Sequence, residues 1–182
     1  MRRRGPRQPR PPLDEDKLNE LMLAYVARFA TSRAKLAVYL MRKLRERGWA
    51  GEGEPPVAEL VDKAARSGFV DDAAFALGKS RSLTARGYGG RRVALALHAA
   101  GIGEADGEAA RTHAREDAAE AALRFARRRR FGPFGTRAAD PRLQEKQLAA
   151  MIRAGHELRL AKAIVRLPPG AEVDAQVLED MG

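Results

Sequence analysis

Asp71 and Asp72 are adjacent carboxylates, a pairing that can hold a metal or share a proton. They stand directly before an apolar helical run. There an acid accepts backbone N–H groups and suits the positive end of the helix dipole, so the pair reads as a helix cap. Three histidines, His98, His113 and His156, lie too far apart for a local metal motif, and none has a plausible catalytic partner nearby. No G-x-x-x-x-G-K-[ST] loop, G-x-S-x-G elbow or H-E-x-x-H helix occurs. The absence of cysteine excludes disulfides, iron–sulfur clusters and thiolate zinc sites. Gly87-Tyr88-Gly89-Gly90 precedes a helix whose N-terminus could take a phosphate. It follows a helix rather than a strand, however, and reads first as a tight interhelical turn. The expectation is a protein without enzymatic activity, cofactor or metal.

Positive charge is what remains. Lys and Arg number 34 against 24 Asp and Glu, a net charge of +10. Arg33, Lys35, Arg42 and Lys43 decorate the expected second helix, and Arg86, Arg91 and Arg92 flank the glycine turn. Arg124, Arg127, Arg128, Arg129 and Arg130 cluster toward the end of the seventh helix, where cations also suit the dipole. One reading is a solvated face. The other is a surface for an anionic partner, either nucleic acid or an acidic protein. No run of about 18 apolar residues and no apolar signal-peptide core is present, so a cytoplasmic monomer without membrane contact is expected.

The elements that must position these residues follow from composition. Ala is 35, Leu 19 and Arg 27 of 182 residues, while Val, Ile and Thr together are 16. Strong helix formers with few β-branched residues predict an all-α chain. Leu18, Leu21, Met22, Tyr25, Val26 and Phe29 give a first helix. Thr31-Ser32 caps a second with Leu36, Leu40 and Leu44 inward, and Pro55-Pro56 opens a third with Val57, Leu60, Val61 and Ala64. The fourth runs from Asp72 through Phe75, Ala76 and Leu83, and the fifth carries Val93, Leu97 and Ala100. The sixth, near 105–113, is poor, with Gly107 inside it and no large apolar residue. Ala118 to Phe125, Pro141 onward and Leu158 to Val165 give the last three.

Gly48, Gly101 and Gly155 stop the middle helix of successive triplets, 53 and 54 residues apart. If each is the left-handed residue of a Schellman ending, Trp49 should meet Leu44, Ile102 should meet Leu97, and His156 should meet Met151. The chain therefore divides into a basic disordered arm over 1–13, three-helix repeats over 14–67, 68–114 and 115–167, and an acidic, weakly ordered tail over 168–182. The expected form is an elongated, right-handed tandem array in which neighbouring repeats complete each other's cores.

Gly68-Phe69-Val70-Asp71-Asp72-Ala73-Ala74-Phe75-Ala76, followed by Arg86-Gly87-Tyr88-Gly89-Gly90-Arg91-Arg92-Val93 and then Leu97, Gly101 and Ile102, resembles the RecX family, bacterial regulators of the RecA recombinase. Thr31 to Leu36 with Lys43-Leu44 and Arg47-Gly48 resembles that family's first repeat, and Lys146-Gln147-Leu148 through Gly155 its third. Lys35 stands where the family usually has Glu, Gly90 replaces a usual proline, and His156 a usual aromatic. The resemblance spans about 18–167. It implies a tandem three-helix fold that binds within the groove of the RecA–single-stranded DNA filament and inhibits ATP hydrolysis, strand exchange and LexA cleavage, modulating DNA repair and the SOS response. Candidate RecA or DNA contacts are then Arg33, Lys35, Arg86, Arg91, Arg92, Arg127 and Arg128. Gly68, Phe69, Asp71, Asp72, Phe75, Gly87, Tyr88, Gly89, Leu97 and Gly101 are the motif's scaffold. The alternatives are a stand-alone nucleic-acid-binding repeat protein and an adaptor for an unrelated acidic protein.

Overall fold

Local capping groups and left-handed glycines set many of the helix ends. A computed structural model of the chain describes residues 11–180, so most of the expected basic arm lies outside the described residues. The order is α1 (Glu15–Val26), α2 (Arg33–Arg47), α3 (Val57–Arg66), α4 (Asp72–Ala85), α5 (Gly90–His98), α6 (Glu104–Glu116), α7 (Ala118–Arg129), a 3₁₀ turn at Gly132–Phe134, α8 (Pro141–Arg153), α9 (Leu158–Arg166) and α10 (Ala175–Asp180). The fold is all-α, as composition predicts. Asp14, Ser32 and Asp140 cap α1, α2 and α8 through their side chains.

The chain divides within α4 into two compact units, one ending at Phe75 and the other beginning at Ala76. In the first, α1, α2 and α3 pack on one another around Leu18, Met22, Leu36, Leu40, Leu60, Val61 and Ala64. Leu13 joins them. The sequence placed it in a disordered arm, yet its side chain is fully buried. Its backbone pairs with the strand-like stretch after α2: Leu13 N–H donates to Gly48 O at 3.0 Å, and Ala50 N–H to Leu13 O at 2.8 Å. This pairing also corrects the expected ending at Gly48. With φ 82° and ψ 170°, that glycine sends Trp49 into the bridge with Leu13 rather than back over α2.

The second unit is built on α7, whose Ala122, Leu123, Phe125 and Ala126 meet Met151, Ala154, Ala161, Ile164 and Val165. Here the Schellman endings form as expected: Ile102 N–H reaches Leu97 O at 3.1 Å, and His156 N–H reaches Met151 O at 3.2 Å. The same bond recurs at Phe69, Tyr88 and Phe131, so the device ends more helices than the three glycines suggested. Two expectations are corrected. The sixth helix is a full 13 residues, because Gly107, Ala110 and Ala114 form a small-residue face that is buried without needing bulk. The tail is not structureless either: Asp174 accepts Val177 N–H at 2.8 Å to start α10, and Leu178 is buried in the core formed with α7 and α9.

Candidate interaction surface

The acid pair of the sequence motif becomes two caps for two helices. Asp71 Oδ1 accepts Ala74 N–H at 2.8 Å and opens α4. Asp72 Oδ1 accepts Arg33 N–H at 2.8 Å, 39 residues away, and so serves the start of α2. Ser32 Oγ takes Lys35 N–H at 3.2 Å. A carboxylate thus stands at the amino end of α2 although position 35 is a lysine. This use leaves no free acid pair, and no cluster of three potential metal ligands occurs among the described residues.

The basic candidates of the first unit are engaged. The Arg33 guanidinium pairs with Asp62, and the Lys35 ammonium lies 5.8 Å from the centre of the Phe75 ring. Of the motif's other residues, Phe69 is 55% exposed, while Val70 beside it is buried in its place.

In the second unit the glycine turn is consumed by packing. Gly89 N–H donates to Ala154 O at 3.0 Å, and Arg91 N–H to Gly155 O at 3.1 Å. A Cβ at Gly89 would lie 2.3 Å from Gly155 O, and one at Gly155, where φ is 95°, 2.5 Å from Arg92 N. Backbone meets backbone here, which only hydrogen side chains permit. Two N–H donors at the start of α5, of the kind that holds a phosphate, are therefore spent on the turn between α8 and α9.

Around that seam the arginines separate into distinct settings. Arg86 and Arg92 lie on Tyr88, their guanidinium carbons 5.6 and 5.8 Å from its ring centre, while the half-buried ring packs against the core around α7. Arg128 joins them by donating to Arg86 O at 2.6 Å. Arg127 instead covers Phe134, at 4.9 Å from its ring centre. Arg91 lines a cleft together with Arg111 and Arg115 of α6. Among the described residues, Arg86, Arg91, Arg92, Arg127 and Arg128 have no carboxylate partner. Arg124 differs: it pairs with Asp117 and Glu120 and donates to Thr84 O at 3.3 Å, closing the end of α4.

Sequence reasoning missed Arg111 and Arg115, four residues apart and so on one helical face, because α6 itself looked weak. It did single out His156, which is 2% exposed behind the seam. A carbonyl can only accept, so Nε2 carries the proton of the 3.1 Å bond to Gly87 O, and the Nδ1 lone pair has no partner among the described residues. Burial pushes the imidazole down to about 4, against the smaller opposing effect of the Gly87 bond. It is a neutral core residue occupying an aromatic's place, with its ring centre 5.5 Å from that of Phe125.

No family model matches the chain. The regulatory protein RecX of Myxococcus xanthus (strain DK1622) is 33% identical over 177 residues, which cover 91% of this chain and 92% of that protein. Two crystal structures share the fold. One, of RecX from Lactobacillus salivarius, aligns at a TM-score of 0.59 and 18% identity over 83% of this chain and 94% of the other. Another, of regulatory protein RecX, aligns at 0.58 and 23% identity over 82% of this chain and 70% of the other. Identity at this level over nearly the whole of both sequences establishes descent, and the chain belongs to the RecX family of regulatory proteins.

Proposed function

We propose that this protein is a mainly negative regulator of the RecA recombinase. In this reading it binds the RecA filament on single-stranded DNA in the cytoplasm and lowers ATP hydrolysis, strand exchange and LexA cleavage. It thereby modulates DNA repair and the SOS response, acting as a monomer without catalysis of its own. Family membership supports the target. The observation that carries the mode of action is the set of second-unit arginines without carboxylate partners among the described residues, of which Arg86 and Arg92 lie on Tyr88 and Arg127 on Phe134. Ordered guanidinium groups lose less side-chain entropy on meeting phosphates or acidic side chains than free ones do. The division into three repeats belongs to the same proposal, supported by the shared helix ending at Gly101 and Gly155. Several repeats along a filament groove would engage neighbouring RecA subunits together, and weak contacts then combine through effective concentration.

The test is RecA's ATP hydrolysis on single-stranded DNA with increasing amounts of this protein. Inhibition at amounts far below RecA supports a filament regulator. Inhibition only when the DNA is saturated identifies a stand-alone nucleic-acid binder, and no inhibition together with no DNA binding leaves the adaptor reading.

A further inference from the structure

We infer that the second unit carries a docking cleft for a short acidic segment of a partner protein, one that places an aliphatic side chain between carboxylates. The cleft has a volume of about 550 Å³, within the range of roughly 300–1,000 Å³ common to ligand sites. Its walls come from α5, α6, the start of α7 and the turn between α8 and α9. Arg91, Arg111 and Arg115 line it, with Glu157 as the sole acid. Arg111 and Arg115 make their contacts within α6: Arg111 donates to Glu104 O and lies 3.8 Å from Glu108, and Arg115 pairs with Glu108 at 3.3 Å. Arg91 has no carboxylate partner among the described residues and is held by its backbone bond to Gly155.

Between these cations the surface is aliphatic, formed by Ala94, Ala114, Ala118 and Leu160. A concave apolar wall edged by guanidinium groups matches an apolar anchor flanked by acids, through charge complementarity around a desolvated centre. Single-stranded nucleic acid fits less well. Such sites use exposed rings on which bases stack, and the ring in this lining is His156, 2% exposed. The cleft is also distinct from the Tyr88 cluster, so it extends the proposed function without depending on RecA as the target.

The experiment titrates the full chain, followed by backbone amide NMR, with three probes. These are the acetylated peptide amide Asp-Leu-Glu-Leu-Asp, its Asn/Gln analogue, and a (dT)₁₂ oligonucleotide. Saturable shifts over Gly89–Ala94 and Glu157–Leu160 are expected with the acidic peptide, at least tenfold weaker with its uncharged analogue. Ala94→Trp, at an exposed position of α5, should fill the cleft and abolish them with every cation still in place, and Arg91→Glu should weaken them. Absence of saturable shifts overturns the proposal, as does binding unaffected by Ala94→Trp. Stronger shifts of the same amides by (dT)₁₂ would assign the cleft to nucleic acid instead.

Discussion

Arg33 and Arg91 each stand in the first turn of a helix, yet the molecule uses them differently. In the first unit Arg33 is tied to Asp62 through its side chain and to Asp72 through its backbone. In the second unit Arg91 gives its backbone N–H to Gly155 and lines the cleft, without a carboxylate partner among the described residues. The difference is one of neighbours rather than residue type. Acids surround the start of α2, whereas two glycines and backbone carbonyls surround the start of α5. A count of basic residues treats the two alike; their partners separate a structural cation from a presented one.

Removing the close backbone approach should have the largest effect. Gly89→Ala places a methyl 2.3 Å from Gly155 O, where neither side can yield without breaking the bonds from Gly89 and Arg91. A loss of several kcal/mol is expected, read as a collapsed melting transition of the second unit. A parent-like melting curve would mean that the seam is looser than its geometry.

The charge on the second unit is tested through RecA. Arg91→Glu/Arg92→Glu should keep its helical circular dichroism. In about 0.1 M salt, where screening reaches over roughly 10 Å, half-inhibition of RecA should need about tenfold more protein, equivalent to about 1.4 kcal/mol. Full inhibition by the folded variant would erase the distinction between the two units.

His156 offers a test by pH. Its imidazole is held near 4 in the folded chain against 6.5 when free. The stability gained from keeping it neutral is complete above about pH 6.5, falls as the unfolded chain takes up the proton, and is lost by about pH 4. The difference is worth up to about 3 kcal/mol. Denaturant unfolding of His156→Phe at pH 7 and pH 4.5 should show a smaller drop than the parent. Equal drops would place the ring in solvent.

The smallest effect is expected at Arg33→Ala. Its pair with Asp62 is half exposed on both sides, so stability should change by less than about 1 kcal/mol and RecA inhibition not at all. Lost inhibition would make Arg33 a contact and sink the comparison.

Legibility in the sequence followed the range of the interactions. Helix periodicity and stops are local, and α1 to α5 and α7 to α9 were readable from apolar spacing with Ser32, Asp140 and the glycines, whereas α6, which buries only small residues, looked weak. α10 was not, because its buried residue Leu178 gains its value only against α7 and α9. Leu13 escaped for the same reason: its partner is Gly48, on the far side of two helices. The turn at 87–90 was readable as packing, and its excess of arginine as surface. That Arg91, Arg111 and Arg115 would line one cleft was hidden, since no spacing rule links α5 to α6 across a turn.

Asp72 has a consequence for the order of events during synthesis. The acceptor for Arg33 N–H lies 39 residues downstream. At translation rates of about 5–20 residues per second, it follows the start of α2 by about 2–8 seconds. Throughout that interval α2 has Ser32 at its amino end but lacks the carboxylate that completes it. A nascent chain stalled before residue 72 should therefore exchange the Arg33 amide freely while Lys35 is already protected. The first unit can then finish only when the ribosome has begun the helix that leads into the second.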